Sequence, residues 1–236
     1  MQMSQMHYLP MTPGFFSILI GFFLIVLVLR SVRYAYESLG ISSSAAMWLL
    51  FFSLVGSIFN IPVADLPPEQ VMSDHVVDFF GMRYEVPVVS HWAGTVIAVN
   101  VGGAVIPTLM SIYLMITHAL WAKGLLATAI VAVVIHWLAN PVPGLGIAVP
   151  VFEPVIVTAI VAMVLSRREA APLAYIGGGL GTLIGADLTN LDKVAGLGAP
   201  VASIGGAGTF DGIFLTGILA VLLASLYSRP PAAQYG

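Results

Sequence analysis

Apolar residues fall into seven long blocks, at 13–29, 45–64, 93–121, 125–140, 150–166, 171–190 and 208–228, each ending near a charge or a Pro/Gly break. A bilayer core asks for about 20 predominantly apolar residues per helix, with a range of roughly 17–25. The blocks therefore predict an all-α, polytopic transmembrane helix bundle of about seven spans, with residues 1–229 as a single bundle domain. The stretch 65–90 carries Asp65, Glu69, Asp74, Asp78 and Glu85 against one Arg and reads as an extracytoplasmic loop insertion. Within it, 76–80 and 82–86 flank Gly81 and are able to pair as a short hairpin. Residues 230–236 read as a disordered tail. The first block does not read as a removable signal, because Arg30 and Arg33 follow it and no basic run precedes it.

Composition sharpens this picture. The chain of 236 residues is 59% hydrophobic and only 8% charged, against roughly 25% charged in an ordinary soluble domain. Mean hydropathy is +1.00. So few charges cannot cover a globule in water, and the main partner expected is a lipid bilayer. The net charge of −3 opposes nucleic-acid binding, which needs a basic face. No cysteine is present, which excludes disulfides and thiolate chemistry. With alternating spans, Arg30, Arg33, Lys123, Arg167, Arg168 and Arg229 share one side, and only Arg83 and Lys193 fall on the other. The positive-inside rule then predicts a multi-pass cell-membrane protein with its N-terminus outside and its C-terminus in the cytoplasm. Five helices with two re-entrant hairpins is the rival topology.

Polar side chains inside spans are costly and usually face a bundle interior or a wet cavity. In this topology Asn60, Asn100, His136, Asn140, Glu153, Asp187, Asn190 and Asp211 all gather at the extracytoplasmic end, while His118 lies near the opposite end. Polar helix ends meeting headgroups would give the same pattern. Asp187 and Asp211 stand out, because blocks six and seven are antiparallel neighbours in sequence and both carboxyls come out about 24–26 Å above the cytoplasmic face at 1.5 Å per residue. Such a pair would share a proton or hold a cation; alternatively each would cap its own helix. Asp187 and Asp211 are also the catalytic candidates if the protein is a hydrolase.

Glycines mark close approaches. Gly177, Gly181 and Gly185 recur every four residues along one stripe, where another backbone can come near. From His91 to Trp121 block three would run about 45 Å as one helix, longer than the membrane core. A break is expected where Asn100, Gly102 and Gly103 precede Pro107. Broken membrane helices often present backbone to a solute, which makes Asn100, Gly102 and Gly103 binding candidates. Gly206 and Gly208 precede Asp211, and their N–H groups would serve an anion or carbonyl, or simply form a turn. His136, Asn140, Glu153 and Asn190 complete the candidate binding set. His91, His136, Glu153, Asp187 and Asp211 are of metal-ligand type, yet no His-x-x-x-His spacing supports a metal centre, so metal binding is left open. No phosphate loop and no haem-type histidine pair is evident, and no cofactor is expected.

Several stretches together resemble an uncharacterised family of bacterial and archaeal integral membrane proteins, domain of unknown function 1614. They are Ser53-Leu54-Val55-Gly56-Ser57 with Asn60-Ile61-Pro62, the run from Asn100 to Pro107, Pro143-Gly144-Leu145-Gly146-Ile147, Gly185-Ala186-Asp187-Leu188, and the run from Gly205 to Phe214. The resemblance covers most of the chain and implies a membrane protein without implying an activity. A thinner resemblance is to intramembrane aspartyl proteases of the presenilin type, which use Tyr-Asp on one helix and Gly-x-Gly-Asp on the next. Here Ala186 stands in place of the Tyr, Thr209 and Phe210 separate Gly208 from Asp211, and no Pro-Ala-Leu motif follows.

Three functions remain open on the sequence. The first is proton- or cation-linked transport or conduction of a small solute. The second is an intramembrane aspartyl hydrolase using the Asp187/Asp211 pair. The third is a non-catalytic subunit of a membrane complex. A homo-oligomer or a membrane-complex partner is compatible with each.

Overall fold

The computed structural model describes residues 13–67, 69–79, 82–92, 94–142, 146–150, 152–194, 197, 200–206 and 212–227. The expected tail at 230–236 lies outside them. The described chain is mostly helical. Helix α1 (Pro13–Ser38) is closed by Gly40 in the left-handed region (φ 80°), and α2 (Ser43–Gly56) begins at Ser42, whose hydroxyl accepts from the Ala45 N–H. Then come β1 (Asn60–Leu66), β2 (Glu69–Phe79), β3 (Met82–Trp92) and β4 (Thr95–Asn100). A π-helical turn, Val101–Val105, opens α3 (Ile106–Thr117), and α4 (Trp121–Leu138) follows. The short strands β5 (Asn140–Val142) and β6 (Gly146–Ala148) lead into α5 (Phe152–Leu165). Helix α6 (Ala170–Thr182) passes through a second π-helical turn, Leu183–Asp187, a 3-10 turn, Leu188–Asn190, and α7 (Leu191–Val194); β7 (Val201–Ile204) and α8 (Gly212–Tyr227) close the described chain.

The strands correct the all-α expectation. The apolar blocks at 45–64 and 93–121 each contain a strand: β1 and β4 pair antiparallel, Asn60 opposite Asn100, with a register shift between Pro62 and Ala64. Strand β7 adds parallel to β4, giving the order β1-β4-β7. Pro62, which has no N–H to give a ladder, sits on the edge strand where that is tolerated. The helix expected from residue 93 therefore starts only at Val101. The hairpin expected at 76–86 is present but longer, because β2 and β3 pair in unbroken register from Glu69–Trp92 to Phe79–Met82.

Helix α6 is the axis of the bundle. Every residue of it except Leu180 is buried, and α3, α4, α5 and α8 pack around it. The glycine stripe behaves as its spacing predicts. An added Cβ at Gly177 would lie 3.2 Å from the Ala127 Cβ, one at Gly181 2.6 Å from Val131 Cγ1, and one at Gly185 would overlap the Ala132 carbonyl, so α4 lies directly on this face. The outer surfaces are apolar, with Phe23 62%, Phe52 53%, Leu109 60%, Ile130 38% and Ile160 51% exposed. Helix α1 docks only through Val32, Ala35, Tyr36 and Leu39, an i, i+3, i+4, i+7 face. Its stretch from Ile18 to Leu29 is largely exposed around its circumference. Two helical stretches, Ser17–Ser38 and Trp121–Leu138, are long and apolar enough to cross a membrane. Shorter apolar helices run over Ser43–Gly56, Val101–Thr117, Phe152–Leu165 and Thr216–Leu226.

The two ends of the bundle differ in kind. At one, the α1–α2, α3–α4 and α5–α6 turns meet: His118 Nδ1 lies 3.0 Å from Glu169 Oε2, and a Cβ on Gly40 would sit 4.0 Å from His118 Nε2. Arg33 reaches Glu37 at 2.7 Å and Ser43 at 3.0 Å there. At the other end lie the β1-β4-β7 sheet and both π turns.

Candidate functional site

The sequence itself sets up the polar end. Asn100 ends β4 with extended backbone (φ −77°, ψ 129°), and its Oδ1 accepts the Gly103 N–H at 2.8 Å, a cap that starts the π turn. Its Nδ2 donates to the Ser57 carbonyl at 2.8 Å and to Asn60 Oδ1 at 3.0 Å. Asn100 is fully buried with both ends of its amide engaged, which is how a polar group survives in an apolar interior. The Ser203 hydroxyl lies 2.7 Å from both Asn60 Oδ1 and the Gly206 carbonyl, so one proton serves one of two acceptors. Ser53 donates to the Gly102 carbonyl at 2.9 Å. A Cβ on Gly102 would overlap Ser53 and Ser57, and one on Gly103 would overlap the Gly205 carbonyl. Three backbone segments thus meet with nothing larger than hydrogen between them.

Asp187 joins from the second π turn. Its Oδ2 accepts the Gly205 N–H at 2.7 Å, tying the end of α6 to the loop after β7. Gly205 and Gly206 hold φ of 89° and 79°, the left-handed region where glycine is favoured. Asn190, fully buried, turns back on the same π turn: its Nδ2 donates to the Gly185 and Ala186 carbonyls, each at 2.9 Å, and its Oδ1 accepts from Lys193 Nζ at 2.6 Å. Those carbonyls belong to the widened turn, where the ordinary ladder is interrupted.

The structure therefore gathers Asn60, Asn100, Gly102, Gly103, Asp187, Asn190, Ser203 and Gly206 into one end-cluster. It leaves Asn140 and Glu153 outside the cluster and joins His136 to its edge, through Thr189 and the Gly185 carbonyl that Asn190 also bonds. His136 Nδ1 meets the Thr189 hydroxyl at 2.8 Å, which itself donates to Gly185 O; Asn140 donates to its own Leu138 carbonyl; and Glu153 is exposed on the first turn of α5. The free glycine N–H groups expected ahead of Asp211 are corrected in part, because Gly205 N is taken by Asp187 and Gly206 N by the Ser203 carbonyl. Gly208 and Asp211 lie outside the described residues, and so does any geometry for an Asp187–Asp211 pair. Among the described residues no group of three or more His, Asp or Glu is placed to hold a metal. Elsewhere, a groove of about 690 Å³ between α2 and α3 is lined by Leu49, Phe52, Leu109, Met110 and other apolar residues, with Tyr113 at its rim. It offers little to a polar ligand.

Residues 54–223 match a family described as "Protein of unknown function (DUF1614)". The chain belongs to the DUF1614 family. The match takes in both π turns, the sheet, and every described residue of the end-cluster except Ser53, so the cluster lies within the part of the chain that defines a DUF1614 protein. No curated protein and no solved structure matches the chain.

Sequence reasoning missed Ser53, Ser57 and Ser203. Ser53 and Ser57 are four apart on one helix face beside Gly56, a stripe of small polar residues that marks close packing as clearly as the glycines of α6 do. Ser203 carried no such signal; only the parallel pairing of β7 with β4 brings it to Asn60.

Proposed function

We propose that this DUF1614 protein is a multi-pass membrane protein, N-terminus outside and C-terminus in the cytoplasm, that moves a small solute in a proton- or cation-linked manner. The apolar outer surface, the low charge content and the cationic residues around the α1–α2, α3–α4 and α5–α6 turns support the membrane setting. One observation carries the transport reading. Two chain segments, β4 with its π turn and the end of α6 with its own, break regular structure and both abut Gly205 of the loop after β7: Gly103 lies against its carbonyl and the Asp187 carboxylate accepts its N–H. Interrupted helices that meet inside a bundle place backbone carbonyls and a carboxylate where a proton or small cation can be exchanged. Asn100, Asn60 and Ser203 form the neutral wall of that site, and Asp187 is its charge-bearing member.

The test is flux in proteoliposomes. Asp187→Asn keeps the size and loses the charge, and it should abolish proton- or cation-dependent flux while the purified protein keeps its thermal melting point. Wild-type liposomes that pass neither protons nor any alkali cation under an imposed gradient would refute the reading.

A second reading, a subunit of a membrane complex, draws support from α1, whose residues from Ile18 to Leu29 find little cover within the molecule. Purification in mild detergent should then retain a stable partner. A lone chain or a homo-oligomer would count against it.

A further inference from the structure

The outer surface of the bundle is apolar, and it has a definite height. Helices α4 and α5 pack on each other and on α6. On α4 the exposed residues Trp121, Leu125, Leu126, Ile130, Val133 and Trp137 form one outward stripe, and on α5 Phe152, Ile156, Ile160 and Val164 form another. Spacings of three and four residues keep each stripe on one helix face. Trp121 is 49% and Trp137 80% exposed, at opposite ends of the α4 stripe. Tryptophan collects at headgroup level, where its ring meets apolar chains and its N–H meets water. Sixteen residue steps separate the two, about 24 Å of helix at 1.5 Å per residue. Lys123, exposed in the first turn of α4, is long enough to carry its ammonium back to that level.

The same height recurs on other helices. Helix α5 has 14 residues, about 21 Å, with exposed Glu153 in its first turn and exposed Arg167 two residues beyond its end. On α1, which packs on α8, the apolar run from Pro13 to Leu29 ahead of exposed Arg30 is again about 24 Å long. Helix α2, also of 14 residues, gives way to β1, the outer strand of an open three-stranded sheet. An open sheet edge is not tolerated in hydrocarbon, so lipid must end where α2 ends. Tilt shortens the vertical reach of a helix, so each of these lengths is an upper limit. An ordinary bilayer core is about 30 Å thick, and the belt falls short of it by at least about 6 Å.

We infer that this belt is a docking surface for the acyl chains of a thin bilayer, one whose hydrocarbon core is about 24 Å rather than 30 Å, and that Trp121 and Trp137 register its two faces. The common height selects lipid as the occupant. A stripe that stops in tryptophan or charge at both ends follows a water–hydrocarbon–water profile, whereas a protein partner would impose no shared length on α1, α4 and α5. In a thicker membrane either the bilayer thins around the protein or the helix ends are drawn into hydrocarbon, and each costs more as the mismatch grows. The inference rests on the membrane setting proposed above and specifies the kind of membrane.

The chain has no cysteine, so a single-cysteine variant takes one spin label. Trp121→Cys, Ile130→Cys and Trp137→Cys are made in the full chain and reconstituted into phosphatidylcholine vesicles. Each label is read by its collisions with oxygen, which concentrates in hydrocarbon, and with a water-soluble nickel chelate. The label at position 130 should be at least tenfold less open to nickel than those at 121 and 137, which should both lie at headgroup level. In parallel, the unmodified chain is melted in vesicles whose monounsaturated acyl chains have about 14, 18 or 22 carbons. Its midpoint should be highest with the shortest chains and lowest with the longest. A midpoint highest with either of the longer chains, or labels at 121 and 137 as deep as that at 130, would overturn the thin belt and leave the membrane setting standing. A label at 130 shielded from both reagents would mean that protein covers the stripe, and would overturn it equally. Nickel reaching all three labels would remove the membrane setting itself. The lipid series needs no variant, so it decides where a labelled one fails to fold.

Discussion

The two faces of α6 are built on opposite principles. Toward α4 the helix is closed by backbone: Gly177, Gly181 and Gly185 admit Ala127, Val131 and Ala132 so closely that a methyl group fits at none of them without displacing a neighbour. Toward α8 the approach is also close, a Cβ on Gly178 standing 3.0 Å from Gly217 Cα, but toward α3, at Gly179, the neighbours stand at ordinary contact distance, with Ser111 Oγ 3.7 Å away and its hydroxyl without a partner. In a lipid setting no hydrophobic force pulls helices together, so close packing must supply the cohesion. The α4 face does that. The α3 face is in ordinary contact at Gly179, so there the helices touch without the backbone overlap that fixes α4 against α6.

The largest effect should come from filling the tight face. Gly185→Ala puts a methyl into the Ala132 carbonyl, and Gly181→Ala sets one 2.6 Å from Val131 Cγ1. Backbone on both sides leaves little room to relax, so Gly185→Ala should cost more than about 3 kcal/mol. Thermal unfolding in detergent would show it as lost folded yield or a sharply lowered midpoint. A near-normal midpoint would mean that α4 and α6 are not locked, and the contrast between the faces would disappear.

A smaller loss tests what holds the open side at its outer end. There the chain is joined by polar side chains, with Asn100 bridging Ser57, Asn60 and Gly103. Asn100→Ala strands a buried N–H and a buried carbonyl, worth about 2–3 kcal/mol in total. The same unfolding measurement reads it, and Asn100→Asp, which keeps the acceptor for Gly103 but sets a buried carboxylate oxygen against the Ser57 carbonyl and Asn60 Oδ1, should cost at least as much. If both variants melt with the wild type, the cluster is not what closes that end.

The tight face was legible in the sequence because close helix packing has a period, and Gly177, Gly181 and Gly185 display it. The gathering of Asn60, Asn100, Asp187 and Asn190 at one end was legible too, since polar groups in long apolar blocks are costly unless they collect where they can pair. What was hidden is instructive. Residues 60–66 and 95–100 are as apolar as the helices beside them, and only β-branched residues and Pro62 hinted that they are strands, a distinction that periodicity cannot make for short apolar runs. Lys193 looked like a stray charge until the turn at Asn190 brought its ammonium to an amide oxygen. Ser111 and Thr182 are ordinary as single residues in apolar helices. That their hydroxyls lack a partner is a property of the packed bundle.

The smallest stability effect is the most discriminating, because it separates ordinary contact from backbone overlap. Gly179→Ala adds a methyl where the nearest atoms, Ser111 Oγ and Pro107 Cβ, would be 3.7 and 3.9 Å away. Exchanging a helical glycine for alanine usually gains roughly 0.4–1 kcal/mol by restricting the unfolded chain. The gain here should sit at the low end of that range, since in lipid the separated helix remains helical. Gly217→Ala, whose Cβ would be 3.8 Å from Gly179 N and 3.9 Å from Tyr175 Cδ2, should behave alike. A midpoint at or slightly above that of the wild type would mark the α3 side as ordinary contact; a loss of stability as large as that of Gly185→Ala would show instead that both faces of α6 are equally closed.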